Sequence, residues 1–214
     1  MISKYNQIDN LFRQIDTHLK HNTSIFIIGG AALLHYGIGK GYTKDIDLVF
    51  EDTNQFESFS SALKDMGFIT KRKPLTHNKL EIFEMLEKGE FRFDLFVSIV
   101  CEGFCLSKEI INRSKKVLSL NYLGVHICSM EDIVLFKSLS PDRINDIEDS
   151  IDLIKRGIDW NIIYKELVVQ TNICVDKTKR KHLVWYFIER IHDLESRKVL
   201  VPIKGKVNTL YDSI

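Results

Sequence analysis

Ser24-Ile25-Phe26-Ile27-Ile28-Gly29-Gly30-Ala31-Ala32-Leu33-Leu34-His35-Tyr36, continued through Gly37-Ile38-Gly39-Lys40-Gly41 to Tyr42-Thr43-Lys44-Asp45-Ile46-Asp47-Leu48-Val49-Phe50, is the stretch on which the fold turns. Ser24 to Ile28 is apolar and rich in β-branched residues, which predicts a strand. Gly29-Gly30 breaks it as a tight turn, and Ala31 to Tyr36 is helix-like. After the glycine-rich loop, Lys44 to Phe50 alternates, with Ile46, Leu48 and Phe50 on one face and Asp45, Asp47 and Val49 on the other, the period of a half-buried strand.

Outward from this core, Ile8, Leu11, Phe12, Ile15 and Leu19 recur at helical steps and give an amphipathic first helix to pack on the sheet. Asp52 to Met66 predicts a crossover helix with Asp52 or Thr53 as N-cap and Gly67 as terminator. Phe68 to Thr70, Leu80 to Met85 and Phe91 to Ser98 read as strands, the last two joined at Glu87-Lys88-Gly89-Glu90, and Lys116 to Tyr122 with Val125 to Cys128 as a hairpin around Gly124. From Ser129 the pattern is helical. One helix starts at Ser129, a second opens at Ser140-Pro141 and runs to Ile154 before Gly157, and two more fit Trp160 to Thr171 and Lys177 to Glu195. The fold class expected is α+β, a mixed α/β arrangement, with residues 1–128 as a catalytic domain and 129–214 as a C-terminal helical region packed on it.

The 214 residues are 44% hydrophobic and 28% charged, which excludes disordered and fibrous classes. Thirty basic residues against twenty-nine acidic ones give +1, so overall charge points to no polyanionic partner. Two local basic stretches, Lys71-Arg72-Lys73 and Lys177 to Lys181, can track a nucleic-acid backbone or be ordinary solvated surface. The longest apolar run, Ser24 to Leu34, is too short to span a membrane and is broken by glycines. Met1 to Asp16 lacks the pattern of a signal peptide, so a cytoplasmic location is expected. Cys101, Cys105, Cys128 and Cys174 are too scattered for a disulfide framework; Cys101 and Cys105 lack a second ligand pair for zinc and read as buried thiols.

Asp45 and Asp47 project from one strand face about 7 Å apart at the backbone, close enough to share a cation. A pair on a half-buried face is costly without one, because each carboxylate raises the other's pKa; on an exposed face they are simply solvated. Gly29-Gly30 lets backbone N–H groups at a helix start approach a phosphate, or serves only as a turn. Asp94 sits inside Phe91-Arg92-Phe93-Asp94-Leu95-Phe96-Val97, where a charge without a task is expensive. Thr43 and Lys44 offer a hydroxyl and a cation beside any triphosphate. A P-loop is excluded because no glycine stands four residues before a Gly-Lys-Ser/Thr, and Gly-x-Gly-x-x-Gly and EF-hand patterns are absent.

Taken together, Ile28-Gly29-Gly30-Ala31, Thr43-Lys44-Asp45-Ile46-Asp47-Leu48-Val49 and Phe93-Asp94-Leu95-Phe96 resemble the three signatures of the nucleotidyltransferase superfamily that includes DNA polymerase beta. Ser129 to Lys137 and Arg143 to Asp149 are similar to its AbiEii-type toxin branch, which also holds small archaeal and bacterial proteins. The resemblance implies a nucleotidyltransferase-like central mixed sheet flanked by helices. It implies that Asp45, Asp47 and Asp94 hold Mg²⁺ (or Mn²⁺), and that Gly29 and Gly30 hold the triphosphate. By the same resemblance Lys137 and Asp146 join the active site, with Lys137 neutralising a phosphate; as a residue alone, Lys137 reads as a solvated helix lysine. Gly30 stands where relatives often carry Ser, and Lys40 where many carry Arg. The implied reaction moves a nucleoside monophosphate from a nucleoside triphosphate to a hydroxyl of tRNA or other RNA, a protein or a small molecule, in a toxin that has a cognate antitoxin. The alternative is a non-catalytic nucleotide- or partner-binding regulatory module, against which the retained Asp94 argues.

Overall fold

Two strands that are apolar on both faces seed the sheet. A computed structural model of the chain describes residues 1–73, 80–140 and 143–214. Among these residues the strands are β1 (Thr23–Ile28), β2 (Ile46–Phe50), β3 (Ile69–Lys71), β4 (Glu84–Lys88), β5 (Phe91–Val97), β6 (Ile99–Cys101), β7 (Phe104–Cys105), β8 (Lys115–Ser119) and β9 (Leu123–Ile127). The helices are α1 (Tyr5–Asp16), α2 (Gly29–Tyr36), α3 (Thr53–Asp65), α4 (Lys108–Arg113), α5 (Met130–Ser138), α6 (Ile144–Lys155), α7 (Trp160–Ile173), α8 (Lys177–Ser196) and α9 (Lys204–Ser213). Seven strands form one mixed sheet in the order β3-β4-β5-β2-β1-β9-β8, and β6 with β7 makes a separate hairpin. β1 runs antiparallel to β2 and parallel to β9, and β2 runs parallel to β5.

The predicted face of Ile46, Leu48 and Phe50 packs under α3. Phe59 of that helix lies 5.4 Å from the Phe50 ring and 5.8 Å from the Phe93 ring, centroid to centroid. Asp52 caps α3 as expected, its carboxylate accepting the Gln55 N–H at 2.9 Å. β2 is not half-buried, because β1 and β5 flank it and Val49 on the opposite face is also fully buried. One hydrophobic cluster runs from α1 through the sheet into α5, α7 and α8.

Several local expectations shift. β4 begins at Glu84, since the preceding residues make single bonds, Glu81 N–H to Val100 O and Phe83 N–H to Leu95 O, instead of a regular ladder. Gly124 lies within β9 opposite Ser119, and the turn is displaced upstream because the buried Asp16 carboxylate accepts the N–H groups of Asn121, Tyr122 and Leu123. A helix opening at Ser140-Pro141 falls partly outside the described residues; the described helix begins at Ile144. The β6–β7 hairpin, α4 and α9 were not expected. All four cysteines are free, with Cys101, Cys128 and Cys174 buried. Among the described residues no helix is long and apolar enough to cross a membrane.

One guanidinium ties α4 to the C-terminal helices. Arg113 donates to Asp132 of α5 at 2.6 Å and to Glu166 of α7 at 2.5 Å, both carboxylates being fully buried. Ser107 and Gln170 donate to Glu166 at 2.7 and 2.9 Å. Breaking such a group from the cation side leaves two buried charges exposed to each other, at a cost of about 3–5 kcal/mol. Arg113→Met is therefore expected to lower the urea-unfolding free energy by about that amount, whereas Lys155→Ala, which loses only an exposed pair, changes it by less than ~1 kcal/mol.

Candidate active site

Three adjacent segments build the floor of a cleft of about 160 Å³. β1 delivers the chain to Gly29 at the start of α2, β2 carries Asp47, and β5 lines the cleft with Phe96 and sets Asp94, which does not itself line the cleft, directly opposite Asp47 in the parallel register. Asp45 precedes β2 and lines the same cleft. Asp94 is 3% exposed and Asp47 is half-buried. Burial, and then the negative charges of Asp45 and Asp94, push the Asp47 carboxyl well above its usual range, with Arg143 and Lys137 pulling the other way.

Gly29 is required twice over. Its φ of +62° is left-handed, and a Cβ there would sit 2.1 Å from Asp47 Oδ2. A Cβ on Gly30 would meet Thr43 Oγ1 at 2.5 Å, so Thr43 fills the space that a side chain at position 30 would need. Thr43 is buried, exchanges backbone hydrogen bonds with Ile2, and donates its hydroxyl to Asp45 O at 2.8 Å. It supports the floor from behind. Lys44 is exposed and does not line the cleft.

Arg92, which the sequence reading left without a role, is the cation of this floor. Two residues before Asp94 on the same strand face, it forks onto Asp94 with Nε to Oδ1 at 2.8 Å and Nη2 to Oδ2 at 2.6 Å. The same Nη2 lies 3.1 Å from Asp45 Oδ2. The hydrogen bond and charge of Asp94 hold the guanidinium above its ordinary pKa. Period-two alternation places Arg92 and Asp94 on one face, so the signal was present in sequence; its contact with Asp45 depends on strand order and was not.

The opposite wall comes from α5 and α6. Lys137 is 8% exposed and donates to Asp146 at 2.9 Å and to Asp149 at 2.7 Å, so it is a buried, paired lysine and not a solvated one. Burial alone would depress its ammonium, but Asp146 and Asp149 outweigh it and hold the group above its normal value. Arg190 of α8, itself fully buried, donates Nη2 to the carbonyls of Lys137 and Ser140, both at 3.1 Å, and so fixes the end of α5. Across the cleft mouth, Lys40 donates to Asn145 at 2.7 Å, tying the loop after α2 to α6.

The hard oxygen donors Asp45, Asp47 and Asp94 suit a small divalent cation by chemistry, and burial with two neighbouring carboxylates holds the Asp47 carboxyl above its usual range. Among the described residues, however, no three acidic, His or Cys side chains stand as a ready metal cage; Arg92 holds Asp94 instead.

A family model described as a nucleotidyltransferase of unknown function (DUF6036) matches residues 3–198. No curated protein sequence matches the chain. Among solved structures, JHP933 from Helicobacter pylori is 13% identical, with 98% of this chain and 99% of that chain covered and a TM-score of 0.44. An antigenic nucleotidyltransferase-like protein from Paracoccidioides brasiliensis is 16% identical, with 90% of each chain covered and a TM-score of 0.46.

Two expectations follow from the electrostatics. With a raised carboxyl in the folded state, the contribution of Asp47 to stability is full below about 3.8, its ordinary value, and is lost as pH rises through the folded value. Urea unfolding of chelator-treated protein at stepped pH should thus show Asp47→Asn gaining on wild type as pH rises. Lys137→Met, which strands Asp149 and leaves Asp146 only Arg143 at 3.4 Å, is expected to lower stability by about 3 kcal/mol in the same measurement.

Proposed function

Because the chain belongs to the family described as nucleotidyltransferases of unknown function (DUF6036), we propose that it moves a nucleoside monophosphate from a nucleoside triphosphate to a hydroxyl acceptor. The observation that carries this reading is Asp47 beside Asp94 on neighbouring parallel strands, with Asp45 next to them and the start of α2 against the Asp47 carboxylate. Mg²⁺ or Mn²⁺ held by Asp45, Asp47 and Asp94 would supply charge stabilisation to the attacking and leaving oxygens of an in-line displacement.

The chain's own residues do the rest. Gly29 and Gly30 let Asp47 and Thr43 pack directly against the start of α2, and the backbone of this helix start, which lines the cleft, receives the triphosphate. Asp94, on a different strand from Asp45 and Asp47, accepts the acceptor's proton once the Arg92 fork opens. Lys137 faces the cleft from α5 with Asp146 beside it and gives the phosphates a cation whose orientation is fixed by two carboxylates. The acceptor belongs to RNA, tRNA included, in the AbiEii-type toxin reading, where a cognate antitoxin would cover the cleft. The saturated Asp94 fork favours a second reading, a module that binds nucleotide without turnover.

Incubation with α-labelled triphosphates, Mg²⁺ and total RNA separates them. Labelled RNA with pyrophosphate release is expected, abolished by chelator and reduced by roughly two to three orders of magnitude in Asp47→Asn. Nucleotide binding without pyrophosphate release, under any divalent cation, would establish the module instead.

A further inference from the structure

Of the two basic stretches in the sequence, the first has both lysines engaged, leaving only Arg72, which is exposed, between them. Lys71 pairs with Glu87 at 3.9 Å and Lys73 donates to Leu80 O. In the other, Lys179 pairs with Glu81 at 3.4 Å, and Arg180 donates to Cys174 O at 3.1 and 2.8 Å. Lys177 and Lys181 remain, and with Trp185 they follow the four-residue step that lines up along one face of α8. Trp185 is 43% exposed and lies 6.0 Å from the Tyr211 ring of α9. Lys181 Nζ stands 5.5 Å from the centre of that same tyrosine ring, and Lys206 Nζ stands 5.6 Å from the centre of the Tyr164 ring of α7. Among the described residues, none of Lys177, Lys181 and Lys206 is within ion-pairing distance of a carboxylate, whereas their neighbours Lys179 and Lys204 are.

We propose that this face of α7, α8 and α9 binds a single-stranded nucleic acid. Ammonium groups without carboxylate partners meet phosphates, and the half-exposed indole of Trp185 beside Tyr211 offers a ring on which a base stacks. That combination of cationic track and aromatic platform accepts unpaired bases of any sequence. An acidic peptide matches the lysines but has no use for the open indole. The same four-residue row of α8 ends at Glu189, which is partly exposed and lies 3.7 Å from His192, so the cationic part of the face is bounded at Trp185.

On α8 Trp185 is exposed while Arg190, which holds the end of α5 at Lys137, is fully buried, so the face and the contact to the cleft wall lie on different sides of one helix. Where this deepens the proposed transfer, by making the bound strand its acceptor, it rests on that reading; the surface itself does not.

The test is fluorescence anisotropy with a labelled oligouridylate of about twelve nucleotides, its oligothymidylate counterpart and a duplex of equal length, with metal and nucleotide omitted. Wild type is expected to bind both single strands more tightly than the duplex. Lys181→Gln and Lys206→Gln should each lower the slope of log affinity against log salt by about 0.7. Trp185→Ala should weaken binding by about tenfold, with melting checked by circular dichroism. Failure of wild type to bind either strand, duplex binding as tight as single-strand binding, capture of oligoglutamate in place of oligonucleotide, or indifference to all three substitutions would overturn the proposal. Because triphosphate and metal are absent, loss of transfer activity has no bearing on the result.

Discussion

Asp47 and Asp94 face the same way from neighbouring strands in the middle of a sheet, and much of the surrounding structure answers that crowding. Arg92 must lie on the same face as Asp94 to fork it, and it must reach Asp45 as well. The chain entering α2 must be glycine where it brushes the Asp47 carboxylate. What remains uncompensated is concentrated on Asp47, whose carboxyl is the one pushed up by burial and by its neighbours.

The second wall repeats the problem with the signs exchanged. Lys137 is a buried cation kept by two carboxylates, and the helix that carries it ends on a buried arginine from α8. Farther from the cleft, Arg113 joins α4, α5 and α7 through two buried carboxylates. The position of Lys137 is therefore set by charge networks on both sides of α5, and a disturbance in either network reaches the cleft through one short helix.

The sequence was most informative where a residue's environment is decided within its own segment. The strand and helix around Gly29, the apolar face of Ile46, Leu48 and Phe50, and the anomaly of Asp94 in an apolar run could be read directly, as could the α+β class; that α2 starts at Gly29 itself and that β2 is buried at Val49 on its other face could not. Fates decided by distant parts of the chain could not. Lys137 looked like surface because Asp146 and Asp149 come from another helix. Thr43 looked available because nothing local revealed its pairing with Ile2. The turn near Gly124 moved because a carboxylate from α1, more than a hundred residues earlier, holds its backbone. The roles of the site residues in catalysis are a matter for the transfer assay.

The register between β2 and β5 has a consequence for engineering by transplantation. Asp47 lies opposite Asp94, so a slip of one residue would set Phe93 or Leu95 there and send both Arg92 and Asp94 to the face now filled by α3. The three acidic residues are thus an address written in strand alignment, not a portable motif. Grafting them onto another scaffold would move their names without their chemistry unless β1, β2 and β5 travelled together with their pairing intact.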